Sequence, residues 1–457
     1  MDLQQLVLEQ ATLIEELRTE NAKFKALLQA ALDENARLKK NSTNSSKPPS
    51  SDIVKPPRQR KNKKRKRKIG AQKDHKAHQR QPFTADQIDQ TIEITLDACP
   101  KCKGELTTLE ETPKIYQQVE LVGRNFIVTE YFCLHSHCNH CQRDFVAKRP
   151  PELKSGLFGV NMIALTAYLK GRCHMSYTTL RDFFKDVFSI TVSTGFLAKQ
   201  VRKTSEALKK PYEELLAQLP NEPHLHIDES GHKKNGKLGW TWCFRGKEFT
   251  LFHIDESRGS IVLENLLCKC YEGIISCDFL GAYRKFSRLG NALLQYCWAH
   301  LIREVKYLAD YGNRLLSAIQ KMFSTIHRRG EYKLKENWFR RMYSHRDEIL
   351  KVAWRHLPDD KDAGNIAERL WNYQEGYFRF IDAGIAPTNN LAEQSIRRVV
   401  IDRKITQGTR SDWGNRWQER IWSVLSTCEQ SGRSVLSFLR DAVDAVIRQS
   451  RTPKLLK

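Results

Sequence analysis

Two aspartates follow apolar runs that read as β-strands. Asp228 closes His224-Leu-His-Ile-Asp228, and Asp278 closes Gly273-Ile-Ile-Ser-Cys-Asp278. A carboxylate at a strand end emerges at the sheet edge on a backbone fixed by pairing, so two neighbouring strands can present both acids to one divalent cation. Without a cation, adjacent carboxylates push one pKa up, and paired acids of this kind point to a bound metal. A two-metal phosphodiester site, with cations about 3.5–4 Å apart, needs a third acid. Glu393, in Pro387-Thr-Asn-Asn-Leu-Ala-Glu-Gln-Ser-Ile-Arg-Arg398, is the best candidate. Asn390-x-x-Glu393 is also a helix-capping pattern, typically worth about 1 kcal/mol, and Asp362, Glu368, Glu375 and Asp382 are rivals. Glu229 neighbours Asp228 but faces the other side of the strand.

Four cysteines suggest a second kind of metal. Cys99-Pro-Lys-Cys102 and Cys138-Asn-His-Cys141 are paired knuckles of the sort that offer four thiolates tetrahedrally to zinc. Residues 116–122 and 125–132 alternate well enough to form a supporting hairpin around Gly123. Cys133, His135, His137 and His140 crowd the second knuckle as substitute ligands. The first 30 residues lack the basic start and apolar stretch of a secretory signal. The twelve cysteines are therefore expected as reduced thiols or metal ligands rather than a disulfide framework.

The elements that must position these groups follow from periodicity. Strands are expected at 224–228, 239–244 and 249–254, with a hairpin around Gly246, then a helix at 260–267 and further strands at 273–278 and 293–297. Three antiparallel strands, a helix, a strand, then alternating helix and strand is the order of an RNase H-like domain. Residues 305–385 read as a polar helical insertion, with later helices at 386–400 and roughly 413–448. Upstream, Leu180, Phe183, Phe184 and Val187 mark one helix, and Ser193 caps another with Phe196, Leu197 and Val201 inward. The pair resembles a helix-turn-helix, or any packed helical hairpin, and leaves Lys199, Arg202 and Lys203 for phosphate.

Leu3, Val7, Gln10, Ile14, Leu17, Asn21, Phe24, Leu28, Ala31, Asn35 and Leu38 keep alternating steps of four and three. This is the seam of a coiled coil, and buried Asn21 and Asn35 would favour a parallel pair. The chain thus divides into a coiled coil (1–40), a polar and basic linker (41–97), a zinc-binding, ribbon-like module (98–150), a helix-turn-helix-like helical domain (151–220), an RNase H-like domain (221–410) and a C-terminal helical region (411–457). The expected class is a multidomain α+β and α/β protein.

Charge narrows the partner. In 457 residues, 76 Lys and Arg oppose 53 Asp and Glu, a net +23. Ten basic residues lie between Lys55 and Lys68 with no acid among them, nine of them being Arg58, Arg60, Lys61, Lys63, Lys64, Arg65, Lys66, Arg67 and Lys68. The excess calls for a polyanion, and nucleic acid fits better than a membrane surface. No run of 18 apolar residues exists, which excludes an ordinary membrane-spanning helix.

Several stretches resemble bacterial DDE transposases of the insertion sequence sixty-six family. They are Asn44-Ser-Ser-Lys-Pro-Pro-Ser-Ser-Asp52, Ile227-Asp-Glu-Ser230, Asp278-Phe-Leu-Gly-Ala-Tyr283, Cys297-Trp-Ala-His300, Asn389-Asn-Leu-Ala-Glu-Gln-Ser-Ile-Arg397, Arg403-Lys404 and Gly408-Thr-Arg-Ser411. The resemblance covers nearly the whole chain. It implies a cytoplasmic, nucleoid-associated nuclease and strand transferase that cuts its element's ends and joins the 3′-hydroxyls to target DNA by two-metal phosphoryl transfer. Asp228, Asp278 and Glu393 would then form a triad for Mg2+ or Mn2+, with structural Zn2+ on the four cysteines. Arg397, Arg398, Arg403 and Lys404 would hold phosphates near the site, where Arg binds bidentately. His300 would contact the scissile phosphate or serve as a core histidine. The implied partners are double-stranded DNA, a second copy through the coil, and accessory transposition proteins, with no membrane. The run Arg58–Lys68 is more basic than the resemblance leads one to expect, which suggests stronger, salt-sensitive affinity for any DNA. Two other functions fit the same residues: an RNase H-like nuclease or resolvase without strand transfer, and a DNA-binding regulator with a decayed catalytic domain.

Overall fold

The computed structural model describes residues 14–25, 27–28, 84–88, 91, 126–130, 135–138, 143–146, 156–355 and 357–456. The chain forms two compact units, one of residues 57–132 and one of the remainder. In the first, Ala85–Gln87 form a single 3-10 turn, and the described residues 126–130 contain no strand where a hairpin arm was expected. The rest of that hairpin, Cys99, Cys102 and the basic run Arg58–Lys68 lie outside the described residues.

In the second unit, residues 14–25 and 27–28 are helical (α1), with Ile14, Leu17, Phe24 and Leu28 of the heptad seam about half or more exposed. Strands β1 (His135–Cys138) and β2 (Arg143–Val146) pair antiparallel, Cys138 opposite Arg143. The second cysteine knuckle therefore begins where a hairpin turns, although Cys141 itself lies outside the described residues.

Helices α2 (Val160–Gly171), α3 (Tyr177–Phe188), α4 (Thr194–Ala207) and α5 (Lys209–Gln218) come next. The Ser193 hydroxyl accepts from the Phe196 amide and starts α4, as expected from sequence, and the Ser176 hydroxyl does the same for α3 through the Thr179 amide. The sheet follows. Its strands are β3 (His224–Lys234), β4 (Lys237–Arg245), β5 (Thr250–Asp255), β6 (Ile274–Cys277) and β7 (Leu293–Tyr296), in the spatial order β5-β4-β3-β6-β7. The first three pair antiparallel, whereas β3–β6 and β6–β7 are parallel. Helices α6 (Ser260–Leu267) and α7 (Gly281–Leu289) make the crossovers.

Strand β3 does not stop at Asp228, as its sequence suggested; it runs on to Lys234. Asn235 and Gly236 then turn it, both with positive φ (50° and 83°), the backbone of a type I′ hairpin. The turn is braced by a distant segment. Asn235 N donates to Thr409 O, and Thr409 N to Lys233 O. Gly408 sits at φ 92°, where a Cβ would lie 2.1 Å from Lys233 O.

Beyond α8 (Trp298–Val305), the insertion consists of α9 (Ala309–His327), α10 (Lys335–Arg355), α11 (Lys361–Asn372), α12 (Gln374–Phe378) and α13 (Phe380–Ala383). The chain closes with α14 (Asn390–Thr406), α15 (Asp412–Gln430) and α16 (Val435–Arg448). The last two read from sequence as one helix; the turn at Gly432, φ 67°, separates them. One continuous core joins residues from Phe158 to Leu455, so the upstream and C-terminal helices share it with the sheet. No helix among the described residues is long and apolar enough to cross a membrane.

Both sheet edges are closed by side chains. Every second amide of edge strand β5 donates to α15: Ile254 N to Glu419 Oε1 (2.7 Å), Phe252 N to Ser423 Oγ (2.9 Å) and Thr250 N to Thr427 Oγ1 (3.2 Å). Those acceptors are four residues apart and share one helix face, which turns α15 into a substitute strand and blocks edge pairing. At the other edge, Arg379 Nε donates to Leu294 O, and Gln295 Oε1 accepts from Phe380 N. Ser423→Ala leaves the buried Phe252 amide without a partner. Urea denaturation should show a loss of about 1–3 kcal/mol, as for any orphaned buried donor; unchanged stability would mean that the hydroxyl does not cap the edge.

Candidate active site

Asp228 lies where β3 outruns β6. The parallel register pairs His226 with Ser276, and two residues further on it brings Asp228 level with Asp278, which follows the end of β6. Past that point β3 continues against β4, with Asp228 opposite Cys243. Asp228 Oδ1 accepts from the Glu229 amide at 3.0 Å, and Asp278 Oδ1 from the Leu280 amide at 2.9 Å. The second bond fixes the loop entering α7.

Glu393 arrives from α14, whose start is clamped to the same sheet. Asn389 Nδ2 donates to Ile227 O (2.6 Å), its Oδ1 lies 3.2 Å from His226 Nδ1, and its amide donates to Cys297 Sγ (3.1 Å). Trp298 N adds a bond to Pro387 O. The N-cap is Asn389, so Glu393 is the fourth helical residue and falls out of register for the capping box that Asn390-x-x-Glu393 suggested. Asn389 spends its side chain on β3 instead of on the helix.

The electrostatics are those of crowded acids. Burial pushes the Asp228 carboxyl well above its usual range, and the charges of Glu229, Glu393 and Asp278 push it further. Burial also lowers the nearby His226 to about 4, so this imidazole is neutral at pH 7 and offsets nothing. Glu229 is otherwise engaged. Its Oε1 accepts two bonds from Arg258 (3.0 and 2.8 Å) and its Oε2 one from Tyr283 OH (2.5 Å). Among the rival acids, Asp382 takes a bond from Tyr343 OH, while Asp362, Glu368 and Glu375 sit on the insertion helices. Of Glu393 and these four rivals, it is Glu393 whose charge raises Asp228, beside those of Glu229 and Asp278.

Glu393 Oε1 is buried and lacks a hydrogen-bond partner among the described residues, as does His300 Nδ1, 3.6 Å away. Cys297 Sγ completes a group of ligand atoms within 4.8 Å of one another. Burial, and then Glu393, raise that thiol to about 12, so it is protonated at neutral pH and a poor ligand. Three carboxylates with an orphaned oxygen suit a hard divalent cation better than a soft one.

A model of the Transposase IS66 family matches residues 155–416. The chain belongs to this family. A family of unknown function (DUF6444) matches residues 2–81, and no curated protein matches. In this IS66 family member the basic residues expected to meet DNA divide into two sets. Arg398 bonds Glu429, which Arg172 also engages, and Arg403 bonds Ser230 Oγ (3.0 Å) and Gly231 O. These two guanidiniums hold α14 against the fold, a use that their spacing did not reveal. Arg397 and Lys404 have no such partner among the described residues, and Lys404 is exposed. Lys199, Arg202 and Lys203 share the exposed face of α4, with Arg202 over the Trp413 ring at 5.9 Å.

Sequence reasoning missed Asn389 as a clamp and His226 as its partner. An Asn just before a helix reads as a cap, and nothing local says that its side chain turns to a strand 160 residues earlier. Asn389→Ala should cost about 1–3 kcal/mol, because it orphans the buried Ile227 carbonyl. Thermal unfolding checks this, and an unchanged melting temperature would show that the clamp is dispensable.

Proposed function

We propose that this chain is a DDE-type, Mg2+-dependent transposase that cleaves the ends of its insertion sequence and joins the freed 3′-hydroxyls to target DNA. The influence of the Glu393 and Asp278 charges on the buried Asp228 carboxyl supports the reading. Asp228, pushed up by burial and then by the charges of Glu229, Glu393 and Asp278, and a buried Glu393 oxygen without a donor among the described residues are features that a bound cation would relieve. The strand order β5-β4-β3-β6-β7, with only β4 antiparallel to its neighbours, supports an RNase H-like catalytic domain into which α9–α13 are inserted.

The three acids would hold one or two divalent cations. When bound, these supply charge stabilisation at the reacting phosphorus and help ionise the attacking water or 3′-hydroxyl. The protein's own part is positioning. Pairing along β3 and β6 fixes two carboxylates, and the Asn389 clamp sets the third. Arg397 and Lys404, free on α14, are suited to phosphates flanking the scissile bond. His300, beside Glu393, is suited to donate to a phosphate oxygen. The linker cations Arg58–Lys68 and the α4 cations Lys199, Arg202 and Lys203 would add duplex affinity. The heptad seam would dimerise the protein, and Cys99, Cys102, Cys138 and Cys141 would bind a structural Zn2+ in a ribbon-like module.

Asp228→Ala, Asp278→Ala and Glu393→Ala should each lower Mg2+-dependent cleavage by at least about 10²–10³-fold, the effect of losing one preorganised electrostatic group. Glu229→Gln should keep it. Wild-type cleavage by all three alanine variants would refute the triad. Precleaved element ends incubated with a target plasmid should yield joined product; hydrolysis alone would favour a nuclease or resolvase. Elemental analysis of the purified protein should find one zinc per chain, lost in Cys138→Ser together with folding of its module.

A further inference from the structure

The helical insertion carries a groove that the catalytic reading does not use. An open cavity of about 720 Å³ lies between the C-terminal parts of α10 and α11, lined by Leu350, Lys351, Trp354, Arg355, Trp371 and Asp347, with Gln374 at its end. Both indoles face solvent, Trp354 at 42% and Trp371 at 54% exposure. Large aromatic surface left open in one groove marks a binding site, and the volume is in the range of pockets that bury a molecule of nucleotide size.

The polar groups of the groove describe its occupant. Asp347 accepts from Arg346 Nε at 2.9 Å, and Gln374 spends its amide on Trp371 O at 3.1 Å. Lys351 and Arg355 are exposed, with no ion-pair partner among the described residues. The groove therefore offers flat apolar faces beside free positive charge. A base stacked on an indole with its phosphate near a cation meets both demands. A paired duplex does not, because its base faces are already covered. The groove is also tied to the proposed site: Trp371 precedes Tyr373 by two residues, and the Tyr373 ring packs 5.0 Å from Phe279, the neighbour of Asp278. Arg284 reinforces that contact through Tyr373 OH.

We infer that the Trp354–Trp371 groove binds an unpaired nucleotide of the DNA being processed, its base stacked on an indole and its phosphate held by Lys351 and Arg355. The inference rests on the transposase reading and adds a single-strand subsite to it.

The test uses the full-length protein, a blunt duplex, and the same duplex with a short single-stranded tail carrying 2-aminopurine. The wild type should prefer the tailed duplex and change the probe's fluorescence. Trp354→Ala or Trp371→Ala should weaken tailed binding about tenfold, the scale of one lost base stack. Blunt-duplex affinity should stay unchanged, and Trp371→Phe should retain most of the preference. Wild-type tail preference in both alanine variants, or equal loss for both DNAs, would overturn the inference. So would an altered sedimentation state with tail preference intact, which would mark a protein-binding face instead. A wild type that cleaves and joins ends yet shows no tail preference would refute the subsite and leave the transposase reading standing. Loss of cleavage in the triad variants is scored separately.

Discussion

The crowding of acids around the buried Asp228 carboxyl, raised by burial and then by the charges of Glu229, Glu393 and Asp278, is the constraint on which the rest of the fold depends. Like charges brought out of water repel more strongly than in water, so carboxylates gathered beside a buried one separate unless their backbones are tied. Here each tie is of a different kind. Asp228 rides on β3, paired to β4 from His226 to Lys234. Asp278 leaves the end of β6 through a loop pinned by its own carboxylate. Glu393 comes on a helix whose first residues are bonded to Ile227 O and Cys297 Sγ. The helix start also directs its positive end toward the acids, a small compensation.

A sheet that must hold charges in place cannot slide, and this one is closed on both edges. The regular Glu419, Ser423, Thr427 series makes α15 a partner for β5 by side chains alone. That use explains why so polar a helix face is buried. It also ties the C-terminal helices, which reach the upstream helices through the same core, to the register of the strands that carry Asp228 and lead to Asp278. The insertion closes the other edge through Arg379 and Gln295, so it is fastened at the β7 side and by the aromatic stack on Phe279.

Local pattern made part of this visible. The Ser193 cap of α4, the bounds of α6 and the place of Asp278 just past its strand follow from nearest-neighbour chemistry. The extension of β3 did not, because Glu229-Ser-Gly-His-Lys-Lys234 reads as a polar loop, although Asn235-Gly236 is a hairpin signal that would have set the strand's end. Helix α14 was expected from 386; it begins at Asn390 because Pro387 to Asn389 are spent on the clamp. The Cys268–Cys270 disulfide was likewise not expected in a chain of reduced thiols. These are long-range or geometric facts. Asn389 and Ile227, or Thr409 and Lys233, meet only once the sheet exists, and no periodicity encodes the meeting.

The same reasoning separates the cations that follow the third acid. On an α-helix, residues four, seven and eleven positions along stay near one face. Counting from Glu393, those positions fall at Arg397, Val400 and Lys404, while Arg398 points to Glu429 and Arg403 to the β3 backbone. A run that looked like one basic cluster is thus split by helical geometry into two guanidiniums that fix α14 and two cations in line with the acid. Under the proposed transposase reading, a phosphate chain crossing the acids would meet that second set next, and the helix that carries Glu393 would also set the direction in which the DNA backbone leaves the site. Positive charge on this face would then bear on DNA register as well as on affinity. The linker cations, lacking any such fixed relation to the acids in sequence, can contribute affinity alone.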